Sequence, residues 1–200
     1  MSRPGPDTPI ETRWEGRFIT VRQQGNWEYV SRSRGIHAAV ILAIDDSDND
    51  RHVILVEQYR VPLKVRCLEL PAGLVGDDMA GEASEVAAQR ELEEETGYHA
   101  SRWRTVGEFY SSPGMVSESF TLLIATDLTK VGEGGGVDGE DIIVHRVPLA
   151  GIADFVAAKR AEGCGIDVRV AMLLTGGLLA GSCFHARRNA REAAGGRSEE

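Results

Sequence analysis

Residues Gly76 to Tyr98 read GDDMAGEASEVAAQRELEEETGY, and no other stretch restricts the fold of this chain as tightly. From Ala87 the run AAQRELEEE contains neither Gly nor Pro and consists of strong helix formers, so it predicts an α-helix of about three turns beginning near Ser84. Thr96-Gly97 ends it, with the glycine where a left-handed residue is wanted. In such a helix Glu91, Glu94 and Glu95 stand at i, i+3 and i+4, which stacks three carboxylates on one face. Ala87, Ala88 and Leu92 point the other way.

Like charges on adjacent turns repel by a few tenths of a kcal/mol per pair, and locally only Arg90 offsets this. Two readings of the face stand side by side. It is a solvated acidic surface, or it is a set of crowded hard oxygen ligands of the kind that suits Mg²⁺ or Mn²⁺ together with substrate phosphates. The net charge of −9, with scattered acids and no basic cluster, argues against nucleic acid as a partner. An acidic enzyme can still take an anionic substrate when metal ions neutralise it.

A length of 200 residues with 42% hydrophobic content predicts one folded, soluble domain with a small appendage. Cys67, Cys164 and Cys183 have no CxxC spacing and form no zinc pattern with the histidines, so they read as reduced thiols of a cytoplasmic protein. The N-terminus has no apolar export segment, and no apolar run approaches membrane-spanning length, so neither export nor a membrane partner is expected.

Along the chain, residues 1–10 read as an irregular lead, followed by apolar and polar alternation on either side of Gln24-Gly25-Asn26. The alternation predicts an antiparallel hairpin with strands Trp14 to Gln23 and Asn26 to Arg32, too small to stand alone in water. It must pack on the main domain or on a second subunit. His37 to Asp45 and His52 to Tyr59 are apolar runs of a central sheet, while Pro71 and Gly73 interrupt regular structure in Leu68 to Leu74. Trp103 to Tyr110, Ser119 to Asp127 and IIVHRVPL read as further strands, and Gly151 to Arg160 and Asp167 to Leu179 as helices. The Gly-rich, acidic stretch Val131 to Asp141 predicts a mobile loop. Strands interspersed with helices suggest a mixed sheet between helical layers.

The acidic stretch resembles the signature of the Nudix hydrolases: Gly, five residues, Glu, seven residues, then Arg-Glu-apolar-any-Glu-Glu-any-Gly-apolar. Gly76, Glu82, Arg90, Glu91, Leu92, Glu94, Glu95, Gly97 and Tyr98 fill every fixed place. The resemblance implies an α/β fold, the Nudix α/β/α sandwich with a mixed central sheet, preceded here by a small N-terminal antiparallel β region. It divides the chain into a β region over 1–35 for dimerisation, a hydrolase domain over 36–185 and a flexible tail over 186–200. Glu57-Gln58-Tyr59-Arg60 with Pro62, then Glu69-Leu70-Pro71-Ala72-Gly73, and Pro113 at its spacing beyond Gly97, resemble the branch that hydrolyses ADP-ribose and nucleoside-diphosphate sugars.

From this resemblance follow the expected roles. The Ala72 carbonyl, Glu91 and Glu95 hold Mg²⁺, with Mn²⁺ as a substitute, and Glu94 is a further ligand or a group behind them. The acidic loop supplies the carboxylate that acts on water or on metal, Glu140 ahead of Asp138, while the composition of that loop equally suits a plain hydrophilic surface. Trp27 stacks on the nucleobase or simply packs an interface, Arg60 grips phosphate or pairs with an acid, and Glu118 belongs to the substrate loop. Gly76, Glu82, Arg90 and Gly97 shape the signature itself. The implied assembly is a homodimer with exchanged N-terminal strands, and the implied reaction cuts a pyrophosphate to a nucleoside monophosphate and a sugar phosphate. A dinucleoside polyphosphate or coenzyme A as substrate, or a non-catalytic nucleotide-sugar-binding module, are the alternatives.

Overall fold

The computed structural model describes residues 4–33, 36–48, 50–76, 83–137 and 139–175. In chain order the elements are β1 (Ile10–Glu15), β2 (Ile19–Gln24), β3 (Trp27–Arg32), β4 (His37–Asp45), β5 (His52–Arg60), β6 (Val65–Glu69) and β7 (Ala72–Val75). Then follow α1 (Ser84–Thr96), β8 (Tyr98–Tyr110), β9 (Ser119–Lys130), β10 (Ile143–Pro148), α2 (Ile152–Ala161) and β11 (Gly165–Ile166). A 3₁₀ turn at Val168–Val170 continues as helix to Thr175, so the expected last helix is present as far as the described residues reach. The expected tail at 186–200 lies outside them.

Strands β1 to β3 form an antiparallel sheet of their own, and this corrects the expected hairpin. The expected first strand is broken at Gly16-Arg17-Phe18, where the Gly16 N–H closes a turn onto the Ile19 carbonyl at 2.9 Å. A Cβ at residue 16 would overlap the Trp14 indole, so only glycine lets the ring fold over this turn. Beyond it, β2 and β3 meet across the two-residue turn Gly25-Asn26, with Gly25 at φ 59° and Gln24 opposite Trp27.

The main sheet has eight strands in a mixed arrangement. Its path runs β11, β6, β5, β4, β9, β8, with β10 paired to β5 and β7 paired to β4. β4 is parallel to β9 and antiparallel to β5, which makes it the centre of the sheet. The pleat then separates two cores. Val40 and Ile44 join Val53, Leu55 and Leu122 beneath Ile152 and Val156 of α2. Ala39, Ile41 and Ala43 join Ile54, Leu123 and Ala125 beneath Ala87, Ala88 and Leu92 of α1. One helix covers each face, which is the expected α/β/α layering.

Two further expectations are corrected. Pro71 and Gly73 do not end regular structure, because Ala72–Val75 forms a short strand on β4, entered by the Pro71 carbonyl accepting from the Ile41 N–H at 2.9 Å. The first part of the Gly-rich loop does not stand off the domain either. Gly135 and Gly136 donate their N–H groups to the carbonyls of Glu95 and Glu94, at 2.9 and 3.0 Å. The last carbonyls of a helix lack partners within it, and this loop provides them.

Candidate active site

The alanine-lined face of α1 sets the site. With Ala87, Ala88 and Leu92 fully buried on the sheet, the acids one turn apart, Glu91 and Glu95, project over β7. Gly97 ends the helix at φ 69° with its N–H on the Glu93 carbonyl, as its place in the sequence predicts. Strand β7 is shaped to receive the carboxylates: the Ala72 N–H donates to Glu95 Oε2 at 3.1 Å, and any Cβ at Gly73 would collide with the Glu91 carboxyl group.

These two acids are electrostatically unlike ordinary surface glutamates. Glu95 is 5% exposed and makes no ion pair among the described residues. Burial pushes its carboxyl up to about 8; the Ala72 N–H opposes this, and the charges of Glu91 and Glu140 reinforce it. Burial likewise raises Glu91, against Arg90, whose guanidinium lies 3.0 Å away. Glu94 differs: it turns to Arg90 at 3.2 Å and does not line the cavity.

That cavity, about 410 Å³, is bounded by Ala72, Gly73, Glu91 and Glu95 on one side. Glu140 reaches its edge as an exposed residue, its carboxylate accepting the Val137 N–H at 3.0 Å. Among the described residues no three His, Cys, Asp or Glu side chains close into a metal cage. Two raised carboxylates, one buried and one partly buried, beside the Ala72 backbone still fit a hard divalent cation, which keeps waters and shares substrate phosphate oxygens instead of demanding a full protein shell. Glu82 and Asp138 lie outside the described residues.

The facing wall is cationic and self-matched. Arg60 forks onto the buried Glu69 at 2.6 and 2.7 Å, Arg169 onto Asp167 at 2.7 and 2.9 Å, and Arg32 meets Glu118 at 2.6 Å. Its hydrogen bond to Glu69 raises Arg60 further above its usual range. Arg32 and Arg169 line the cavity and were not anticipated from sequence. The one local cue to Arg169 is Asp167 two places before it, whose carboxylate also accepts the Arg169 N–H at 2.8 Å. Arg32 had no cue, since its partner Glu118 is remote in the chain.

Trp27 sits elsewhere. It is half-exposed on β3 beside Tyr29, Pro113 and Gly114, around a cavity of about 230 Å³ that shares no lining residue with the first. The loop carrying Pro113 is stitched to β3 by the Val30 N–H on the Met115 carbonyl, 3.0 Å, and the Ser117 N–H on the Val30 carbonyl, 2.9 Å. Among the described residues no helix is long and apolar enough to cross a membrane.

Comparison with known proteins finds relatives of the chain. Residues 35–161 match the model of the NUDIX domain. An ADP-ribose pyrophosphatase of Mycobacterium tuberculosis is 42% identical over 48% of this chain and 44% of its own length, so that match spans about half of each protein. A GDP-mannose pyrophosphatase of Cronobacter sakazakii is 35% identical over 70% of this chain and 72% of that one. Among solved structures, one described as the crystal structure of ADP compounds hydrolase superposes with a TM-score of 0.64 at 24% identity, over 90% of this chain and 96% of that one, a likeness of fold.

Proposed function

The chain belongs to the NUDIX family of hydrolases, and on that premise we propose that it hydrolyses the pyrophosphate bond of ADP-ribose or a nucleoside-diphosphate sugar, giving a nucleoside monophosphate and a sugar phosphate. The observation that carries this reading is a pair of carboxylates with raised proton affinity, the buried Glu95 and the partly buried Glu91, on the wall of a cavity lined also by arginines. Burying such groups without a cation is costly, and a cation is what the anhydride reaction requires.

Glu91, Glu95 and the Ala72 carbonyl would hold Mg²⁺, with Mn²⁺ able to replace it. When bound, the cation neutralises phosphate oxygens and so lowers the barrier to attack by water. Glu140 takes the proton of the attacking water as the bond to phosphorus forms and the anhydride P–O bond breaks. Asp138 is the alternative base. Arg60 presents its remaining guanidinium edge to the diphosphate, and Glu118 with Arg32 lines the path of the sugar. Glu94 works from behind by orienting Arg90, which in turn meets Glu91.

A homodimer is part of this reading. Ile10, Trp14, Phe18 and Trp27 of the N-terminal sheet are 51, 55, 56 and 47% exposed, an apolar surface that a second copy would cover. In that assembly Trp27 would stack on the nucleobase of the substrate. The names of the relatives support the substrate class, one being named for ADP-ribose and one for GDP-mannose.

The test is a panel of nucleotide sugars, dinucleoside polyphosphates and coenzyme A, incubated with and without Mg²⁺. Phosphate is read after a coupled phosphatase. The expected result is turnover of ADP-ribose or a nucleotide sugar only with the cation, lost in Glu91→Gln while its circular dichroism stays that of the wild type. Tight binding of one member with no turnover of any would instead make the chain a binding module.

A further inference from the structure

The Arg66 side chain, on β6, makes four hydrogen bonds to two residues. Nη1 donates to Asp141 Oδ2 at 2.9 Å and Nη2 to the Asp141 carbonyl at 2.7 Å. Nε donates to Glu57 Oε1 at 3.1 Å, and Nη2 also to the Glu57 carbonyl at 3.0 Å. Glu57 is itself fixed, accepting from His145 Nε2 at 2.9 Å and pairing with Lys159 Nζ at 3.0 Å. Asp141, held in this way, follows Glu140 directly and has φ 48°, the left-handed conformation that Asp tolerates better than most residues.

Neither Arg66 nor Asp141 lines the 410 Å³ cavity, whereas Glu140 does. The other end of the same loop is pinned to α1, where Gly135 and Gly136 donate to the carbonyls of Glu95 and Glu94. Between the two anchors the Ile142 N–H closes onto the Gly135 carbonyl at 3.2 Å, and the Glu140 N–H onto that of Val137 at 3.1 Å. Glu140 therefore lies between an anchor on the helix that carries Glu91 and Glu95 and an anchor on β6.

We propose that Arg66 is a positioning residue for Glu140, acting through its two bonds to Asp141. The proposal rests on the reading of Glu140 as the carboxylate that acts on water. Stability alone does not account for the contact, because the Asp141 side chain is 82% exposed and an ion pair so wet adds little to folding. What a guanidinium fork to one residue's carboxylate and carbonyl does supply is direction. A loop free to swing about its α1 anchor would carry Glu140 away from the cavity, and small displacements of a catalytic group cost rate steeply.

A double-mutant cycle tests this, with the best substrate of the nucleotide-sugar panel at saturating Mg²⁺. Arg66→Ala is expected to lower kcat about ten- to a hundredfold with KM changed less than about threefold, and Arg66→Lys to recover only part of it, since an ammonium cannot make the fork. In a Glu140→Gln background the same Arg66→Ala change is expected to have no further effect, because the group it positions is already lost. Equal losses in both backgrounds would overturn the proposal and leave Arg66 as a part of the sheet. Wild-type kcat in Glu140→Gln would overturn the reading of Glu140 and the proposal with it, whereas a slow Glu140→Gln with additive Arg66→Ala overturns the proposal alone. Should Arg66→Ala fail to fold, Asp141→Gly takes its place, removing the carboxylate while suiting φ 48°, with the same dependence on Glu140 expected.

Discussion

The two walls of the cavity both rest on acids withdrawn wholly or partly from solvent, and they differ in how those acids are matched. On the arginine wall Asp167 and Glu69 each receive a guanidinium, from Arg169 and Arg60. Burial alone would push Asp167 up, but the hydrogen bonds and charge of Arg169 more than reverse it and hold the carboxyl below its usual range. On the helix wall Glu95 has one backbone N–H and no ion pair among the described residues, so burial prevails and its carboxyl rises to about 8. An acid matched by a guanidinium is thus a fixed structural anion on one side, and the more deeply buried, unmatched Glu95 is a proton-holding group on the other. A wall that is already neutralised can be left alone by selection for stability, whereas an unmatched acid costs stability and marks a place where a ligand completes the site.

Replacing Glu95 with Gln should break this contrast most strongly. The variant keeps the shape and can still accept the Ala72 N–H through its amide oxygen, but it cannot become an anion. Turnover with Mg²⁺ is expected to fall by about a hundredfold or more, measured as kcat/KM on the best nucleotide sugar. Stability without added cation should not fall and should rise at neutral pH, because the cost of an unmatched buried acid is removed. Loss of both activity and melting temperature would mean that Glu95 is a structural acid like Asp167.

Titration sharpens the comparison, since the two walls respond to pH in opposite windows. The folded-state value of Glu95, about 8, stands above its ordinary 4.5, so the fold holds a proton that the unfolded chain releases. Its contribution is fully present below about pH 4.5 and is lost as pH rises towards 8. Asp167, depressed below 3.8, contributes above that value and loses its contribution only as acid drives the pH down through its lowered folded value. The melting temperature of cation-free protein is therefore expected to decline by several degrees between about pH 5 and 8 relative to Glu95→Gln. Mg²⁺ should restore more of it at pH 8 than at pH 5, because a cation must displace the Glu95 proton at the lower pH. Parallel melting curves for the two proteins across this range would contradict the assignment of the raised acid.

Sequence periodicity carried far in some regions and failed in others for identifiable reasons. Local determinants were readable: the helix Ser84–Thr96, its end at Gly97, Glu91 and Glu95 on one face, the turn at Gly25 and the apolar runs of β4 and β5. Each depends on residues within a few places of one another. The break was hidden because apolar and polar residues alternate from Trp14 to Phe18 across Gly16, the phase slipping only at Phe18-Ile19, and only the Trp14 ring folding back makes the glycine necessary. The docking of Gly135 and Gly136 was hidden for a different reason. A Gly-rich acidic composition suggests solvent, yet the bare carbonyls at the end of α1 are a stronger demand, and glycine allows the approach. Arg32, Arg66 and Arg169 enter the site or its supports through partners up to 100 residues away, a matter of sheet register that no local pattern records.

The smallest expected effect comes from the residue most easily confused with Glu95, its neighbour Glu94. Both belong to the acidic run and both backbone carbonyls accept from the Gly-rich loop, but the Glu94 carboxylate is about one-third exposed and turned to Arg90 at 3.2 Å. An i, i+4 pair of that exposure is worth about 0.3–0.5 kcal/mol, so Glu94→Gln should lower stability by no more than this. Arg90 keeps its contact with Glu91, 3.0 Å away, so the variant should weaken the site only indirectly, with kcat/KM falling less than about tenfold and the pH dependence of melting unchanged from wild type. Side-by-side titration of Mg²⁺ by calorimetry on Glu94→Gln and Glu95→Gln reads the difference directly. A loss of cation affinity in Glu94→Gln as large as in Glu95→Gln would show that facing the cavity is not what distinguishes these acids, and that Glu94 is a direct ligand once Arg90 releases it.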